Sequence, residues 1–255
     1  MVRMALEQRG QKAKRLRRTD AARTLDPTEK GAINYFLGLA ITKLFASTLL
    51  DAPWLLHLDV FRPLLNPVLT KRSRPDLVGE TTSGRWLALE CKGRGSKPDE
   101  TAKSKAKDQA LRLTSVSGAM PWLHIGAIAY FRNDILQFTW RDPPGDPRHS
   151  QSIELDIGPE QWRYYYLPVL ELVSSEPGYL QRMLEAPILM PVQSADISVG
   201  IHPRVLRDLL EKRWDLARQR LSQHESIGQE LPYHVDGIAV VAGPTWHERL
   251  VENLE

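Results

Sequence analysis

One cysteine, Cys91, occurs in the 255 residues. That excludes an intrachain disulfide and any zinc site built from cysteines. No run of about 18 apolar residues is present, so no membrane span is expected. The opening stretch MVRMALEQRG lacks the apolar core of a secretory signal, and a cytoplasmic protein is the expectation. There is no P-loop and no glycine fingerprint for a dinucleotide. The seven histidines fall at no metal-ligand spacing, and no low-complexity tract or convincing repeat is found.

Charge of one sign is also missing. Thirty-four Lys and Arg face 31 Asp and Glu, a net of +3. The small excess is unevenly placed. KAKRLRR, from Lys12 to Arg18, holds five cations in seven residues. A second basic run, CKGRGSKPDETAKSKAK, spans Cys91 to Lys107. Such runs suit a polyanionic partner or a solvated face.

Residues 1–24 read as a basic arm. Asp26 then offers an N-cap, Pro27 a first helical position, and Glu29 the third position of a capping box. The helix they start, Asp26 to Leu50, carries Ile33, Phe36, Leu37, Ala40, Ile41 and Leu44 at helical spacing. WLLHLDVFRPLL is irregular, a short strand or helix. Asp76–Thr81 and Arg85–Lys92 read as strands joined by a TSG turn. Lys97 to Val116 reads as a helix with Ala102, Ala106, Gln109, Ala110 and Leu113 on one face. Ile125–Phe131 and Ile135–Trp140 read as two further strands, and RDPPGDPR as a boundary loop. The pattern divides the chain into an arm (1–24), a core (25–145) and a C-terminal α/β extension (146–255). In that extension PEQWRYYYLPVLELV reads as a helix interrupted by Pro168. Ala195–Ile201 and Asp236–Gly243 read as strands, Pro203 to His224 as a long helix, and TWHERLVENL as a short terminal one.

The chemistry gathers on the hairpin. Alternate residues of a strand share a face, so Trp86, Ala88, Glu90 and Lys92 point one way and Leu87, Leu89 and Cys91 the other. Charge in an otherwise apolar strand is costly unless it has a partner or a task. The hairpin can bring Asp76 beside Glu90. Two carboxylates can hold a hard divalent cation such as Mg²⁺ or Mn²⁺, and the lysine can orient a water or steady developing charge. The competing interpretation is a structural ion pair.

Pro75-Asp76, thirteen intervening residues and Glu90-Cys91-Lys92 resemble the signature of the PD-(D/E)XK nuclease superfamily. The resemblance covers roughly 115 residues, from Asp26 to Trp140. It implies an α/β restriction-endonuclease-like fold, a mixed central sheet flanked by helices. It implies metal-dependent hydrolysis of phosphodiesters, in DNA and within the chain rather than from its ends. Asp76 and Glu90 would be metal ligands, with the backbone carbonyl of Cys91, and Lys92 the catalytic lysine. Many members add an acid from the first helix, for which Glu29 is the candidate, alongside its simpler role in the capping box. RecB-type members place a glutamine on the following helix, for which Gln109 stands beside a plain structural amide. The basic helix would track nucleic acid through Lys97, Lys103, Lys105, Lys107 and Arg112. A homodimer would let both strands be cut.

Weaker candidates are Glu80, His234, Asp196 and Asp236, each simpler as a surface or turn residue. The Tyr164–Tyr166 run suits core packing better than base stacking. A catalytically inactive module of the same fold, binding nucleic acid or organising a complex, is the alternative function. A partner-binding role seated in the C-terminal half is a third.

Overall fold

The computed structural model describes residues 5–8, 15–65, 68–69, 74–142, 152–219, 221 and 231–246. Contacts divide the chain after Gly158, not at 145. In the first unit the order is β1 (Leu6–Gln8), β2 (Leu16–Arg18), α1 (Asp20–Thr24), α2 (Pro27–Leu49), β3 (Trp54–His57), α3 (Leu58–Leu65), β4 (Val68–Leu69), β5 (Leu77–Glu80), β6 (Trp86–Arg94), α4 (Glu100–Ala110), β7 (Leu113–Val116), β8 (Leu123–Arg132), β9 (Ile135–Arg141) and β10 (Ile153–Leu155). Seven strands make one mixed sheet in the order β1-β2-β9-β8-β6-β5-β3. Within it β6 and β8 are parallel and the other pairs antiparallel. β4, β10 and β7 form a small second sheet.

Side-chain alternation places a helix on each face of β6. Leu87, Leu89, Cys91, Ile125 and Ala127 pack with Phe45 and Ala46 of α2. Glu90 pairs with Gly126, and both face the other way. There α4 comes so close that a Cβ on Gly126 would lie 2.6 Å from the Lys107 backbone nitrogen. The α/β class and the helix-flanked mixed sheet expected from the sequence are therefore present.

Several boundaries differ from the sequence reading. Part of the expected arm is sheet edge: Arg18 of β2 donates to Gly95 O at 2.8 Å and stacks on Phe131. Lys12 lies outside the described residues. WLLHLDVFRPLL is both strand and helix, β3 followed by α3. The helix read over Lys97–Val116 stops at Ala110, and LTSV, with β-branched Thr114 and Val116, forms β7. The RDPPGDPR loop lies largely outside the described residues.

α2 buries Ile33, Leu37, Gly38, Thr42, Phe45 and Ala46. Phe36 and Leu44, expected on the inner stripe, are 48% and 59% exposed. The helix is apolar nearly all round, so periodicity fixes its face poorly. By length and composition it is apolar enough to cross a bilayer. Here its small residues, Gly38 and Ala46, let it sit on the sheet. Its outer side helps line an open apolar groove of about 550 Å³ with Leu55 and Leu77.

The second unit starts with a 3₁₀ turn at Pro159–Trp162, then α5 (Arg163–Ser174), α6 (Tyr179–Glu185), β11 (Met190–Val192), β12 (Ile197–Ile201), α7 (Pro203–Leu210), α8 (Trp214–Ala217) and β13 (Ile238–Ala242). Pro168 sits inside α5. β11, β12 and β13 form an antiparallel sheet. The expected long helix from Pro203 breaks at Glu211–Arg213, where Lys212 has φ +58°. Most of the expected terminal helix lies outside the described residues. Tyr164, Tyr165 and Tyr166 are buried.

Candidate active site

The β5–β6 hairpin builds the site. Gly84, at φ +80°, takes the left-handed turn position that a side chain would resist. Thr81 N–H closes the turn on Arg85 O at 2.9 Å. The register then runs Glu80 opposite Trp86 to Leu77 opposite Leu89. The next step places Asp76 opposite Glu90. Here the ladder ends, since Pro75 has no N–H to offer, while β6 continues to Arg94 along β8. Beyond the end, Cys91 N–H donates to Asp76 Oδ2 at 2.7 Å. The aspartate carboxylate thus replaces a missing strand residue at the split.

Glu90 is 1% exposed. Lys92 Nζ forms an ion pair with its Oε1. Beyond Lys92 and the neighbouring Asp76 carboxyl, neither oxygen of Glu90 has a hydrogen-bond partner among the described residues. Burial, then the charge of Asp76, pushes Glu90 up to about 8. Burial also raises Asp76, against the opposing pull of Cys91 N–H and Lys92. Burial alone would lower Lys92; the carboxylates, Glu90 first, outweigh it and raise it. The Lys92 side chain is 40% exposed and stands at the lip.

A close helix–strand crossing frames this end of β6. A Cβ on Gly38 would lie 2.8 Å from Gly93 N, and one on Gly93 only 1.5 Å from Asn34 O. This draws the first half of α2 down beside Lys92. Tyr35 then meets His57 at the end of β3, Oη to Nε2 2.9 Å. Asp59 stands nearby and is paired with Arg74. Tyr35, His57 and Asp59 were not visible as site residues in the sequence, because a contact spanning 22 residues leaves no local pattern. The nearest signal was a histidine and an aspartate closing an apolar strand.

The remaining candidates separate. Cys91 turns its thiol into the α2-side core, where burial raises it well above the usual thiol range. Glu29 is exposed rather than inward. Its Oε2 accepts from Asp26 N–H at 3.0 Å, so the carboxylate closes the capping box. Gln109 is half-buried in the last turn of α4. It is not among the hydrogen-bond partners of Asp76 or Lys92. Lys107 is a correction: it is 5% exposed, ion-paired with Asp142 at 2.6 Å, and donates to His124 O. The close approach of α4 at Gly126 leaves it no route to solvent. Lys103 is paired with Glu100 at 2.6 Å. Lys97 and Lys105 are exposed, and Arg112 is half-buried.

Among the described residues no three His, Cys, Asp or Glu side chains converge as a metal cage. Two carboxylates do converge, Asp76 and Glu90. Unsatisfied buried oxygens on one of them fit a small hard cation that keeps several of its waters. Compared with protein-family models, curated proteins and solved structures, the chain matches none. The site is therefore read from its own geometry.

Proposed function

We propose that the chain is a metal-dependent nuclease of the PD-(D/E)XK superfamily, hydrolysing phosphodiester bonds within DNA. One observation carries this reading: Glu90 is 1% exposed beside a second carboxylate, Asp76, with the Lys92 ammonium as the counter-charge at one of its oxygens. A fold has little use for a carboxylate in that condition, whereas a cation site needs one. The order helix, three antiparallel strands, helix, parallel strand (α2, β3, β5, β6, α4, β8) supports a restriction-endonuclease-like core.

In this reading Asp76 and Glu90 hold Mg²⁺ or Mn²⁺. When bound there, the metal would supply a more acidic water and neutralise charge on a phosphoryl oxygen. Cys91 N–H fixes the rotamer of Asp76. Lys92, anchored by Glu90 and open to solvent, orients the attacking water or steadies charge on the phosphate. Lys97 and Lys105 are the exposed cations of the α4 region left to contact the backbone.

The test is cleavage of supercoiled and linear DNA by the full chain with Mg²⁺ or Mn²⁺. EDTA and Lys92→Ala are each expected to abolish it, and plasmid nicking would identify internal cutting. A wild-type protein that binds DNA but never cuts it would replace this reading with the inactive binding module.

A further inference from the structure

Tyr35 and His57 stand beside Asp76 at the end of β5, from two elements, and the hydrolysis described above uses neither. Each is held by backbone. The Gly93 contact brings Tyr35 N to 3.0 Å from where a Gly93 Cβ would stand, one residue beyond Lys92. His57 pairs with Leu77, and the next N–H, that of Leu58, donates to Asp76 O at 2.8 Å. Leu77 shares the α2 face with Leu89. Tyr35 and His57 therefore meet on the α2 face of the sheet, while Glu90 and Lys92 point to the α4 face. Asp76, beyond the end of β5, is the carboxylate next to them.

The proton positions follow from the hydrogen bonds. Val60 N–H donates to His57 Nδ1 at 3.3 Å. A ring nitrogen that accepts carries no proton, so the neutral imidazole is protonated on Nε2. That N–H donates to the Tyr35 oxygen, 2.9 Å away. The tyrosine proton is then free to point elsewhere, and Tyr35 is 40% exposed. Burial, then the charge of Asp76, raises Tyr35 above the ordinary phenol range, which keeps it a donor.

We propose that Tyr35 is a catalytic hydrogen-bond donor to a non-bridging oxygen of the phosphate bound at Asp76 and Glu90, with His57 the positioning residue that aims it. This rests on the nuclease reading. A phosphodiester oxygen is an anionic acceptor, and a fixed neutral donor strengthens its hold as charge builds in the transition state.

The experiment compares wild type, Tyr35→Phe, His57→Ala, His57→Gln, Lys92→Ala and the Tyr35→Phe/His57→Ala double variant. Two readouts are used: single-turnover cleavage of a short duplex in Mg²⁺, and binding of the same duplex in Ca²⁺. Tyr35→Phe should slow cleavage about 100-fold and weaken binding about fivefold. His57→Ala should match it, the double variant should lose no more, and His57→Gln should recover most of the rate through its amide donor. Tyr35→Phe within twofold of wild type in both readouts, with Lys92→Ala inactive, overturns the proposal and leaves the nuclease intact. A wild type that binds without cutting still tests Tyr35 through affinity. One that neither binds nor cuts overturns both.

Discussion

Two buried carboxylates, one in each unit, stand in opposite conditions. Asp236, 8% exposed, is fully employed. Its Oδ1 accepts from Ile238 N–H at 3.0 Å and its Oδ2 from the Tyr165 hydroxyl. Tyr166 adds a hydroxyl that reaches both Asp236 O and Ala217 O at 3.0 Å. Glu90, 1% exposed, has an ion pair with Lys92 at one oxygen and, among the described residues, no backbone N–H or hydroxyl donor at either. Glu90 lies midway along β6, where its ladder with β5 stops, and Asp236 lies just before β13. The difference separates a carboxylate that completes a fold from one kept for something outside it: satisfied polar groups build, and unsatisfied ones wait for a ligand.

Activity should break this comparison most sharply. Glu90→Gln keeps the shape and removes the charge, and it should lower metal-dependent cleavage by about 10³-fold or more. Asp236→Asn should leave cleavage by the folded protein within about threefold. Equal losses in the two variants, measured at a temperature where both are folded, would end the distinction drawn here.

Stability should reverse the order. Asp236→Ala strands the Tyr165 hydroxyl and the Ile238 N–H, and should destabilise by about 3 kcal/mol. Glu90→Gln replaces a carboxyl group that the folded protein keeps largely protonated at pH 7 by a neutral amide of the same shape, so it should not destabilise the metal-free protein and should stabilise it if anything. Denaturant midpoints of metal-free protein at pH 7 measure both. A Glu90→Gln loss as large as that of Asp236→Ala would make Glu90 structural.

How much of this was legible in the sequence depends on range. Asp76, Glu90 and Lys92 could be placed together because a two-residue period and a glycine turn set the register of one local hairpin. The same logic found the strands that became β8 and β9. It failed on α2, whose apolar residues surround the helix. The choice of Gly38, Thr42 and Ala46 as its buried side is made by the strand it meets. It failed on LTSV, too short to outweigh the helical run before it. Tyr35 and His57 were invisible because their meeting depends on the α2–β6 crossing at Gly38 and Gly93. Lys107 defeats the same local logic, which sends charge on a helix to water, whereas Asp142 and His124 O bury it.

Proton and cation should compete at Glu90, and this sharpens the comparison further. The folded protein holds Glu90 near 8 against 4.5 for the free side chain. Between those values the native state keeps a proton that the unfolded chain has lost. The resulting stability is present in full below about pH 4.5 and is lost as pH rises through about 8. Metal-free wild type should therefore melt at a falling temperature from pH 6 to pH 9, more steeply than Glu90→Gln. Mg²⁺ should flatten the wild-type curve by taking the proton's place. Parallel curves for the two proteins would mean that Glu90 does not titrate there.

The smallest effect is expected from single surface cations, and it divides two lysines of one helix. Lys105 is exposed; Lys107 is buried on Asp142 and His124. Lys105→Ala should weaken DNA binding by a few-fold and lower the dependence of log affinity on log salt by about one unit or less. Lys107→Ala should leave that slope alone. It removes the partner of a partly buried carboxylate and of a buried carbonyl, so it should appear as lost stability. A reduced salt slope for Lys107→Ala at full stability would return this lysine to the nucleic-acid face. Loss of stability with an unchanged slope would set Lys107 beside Asp236, among the charges the fold has already satisfied.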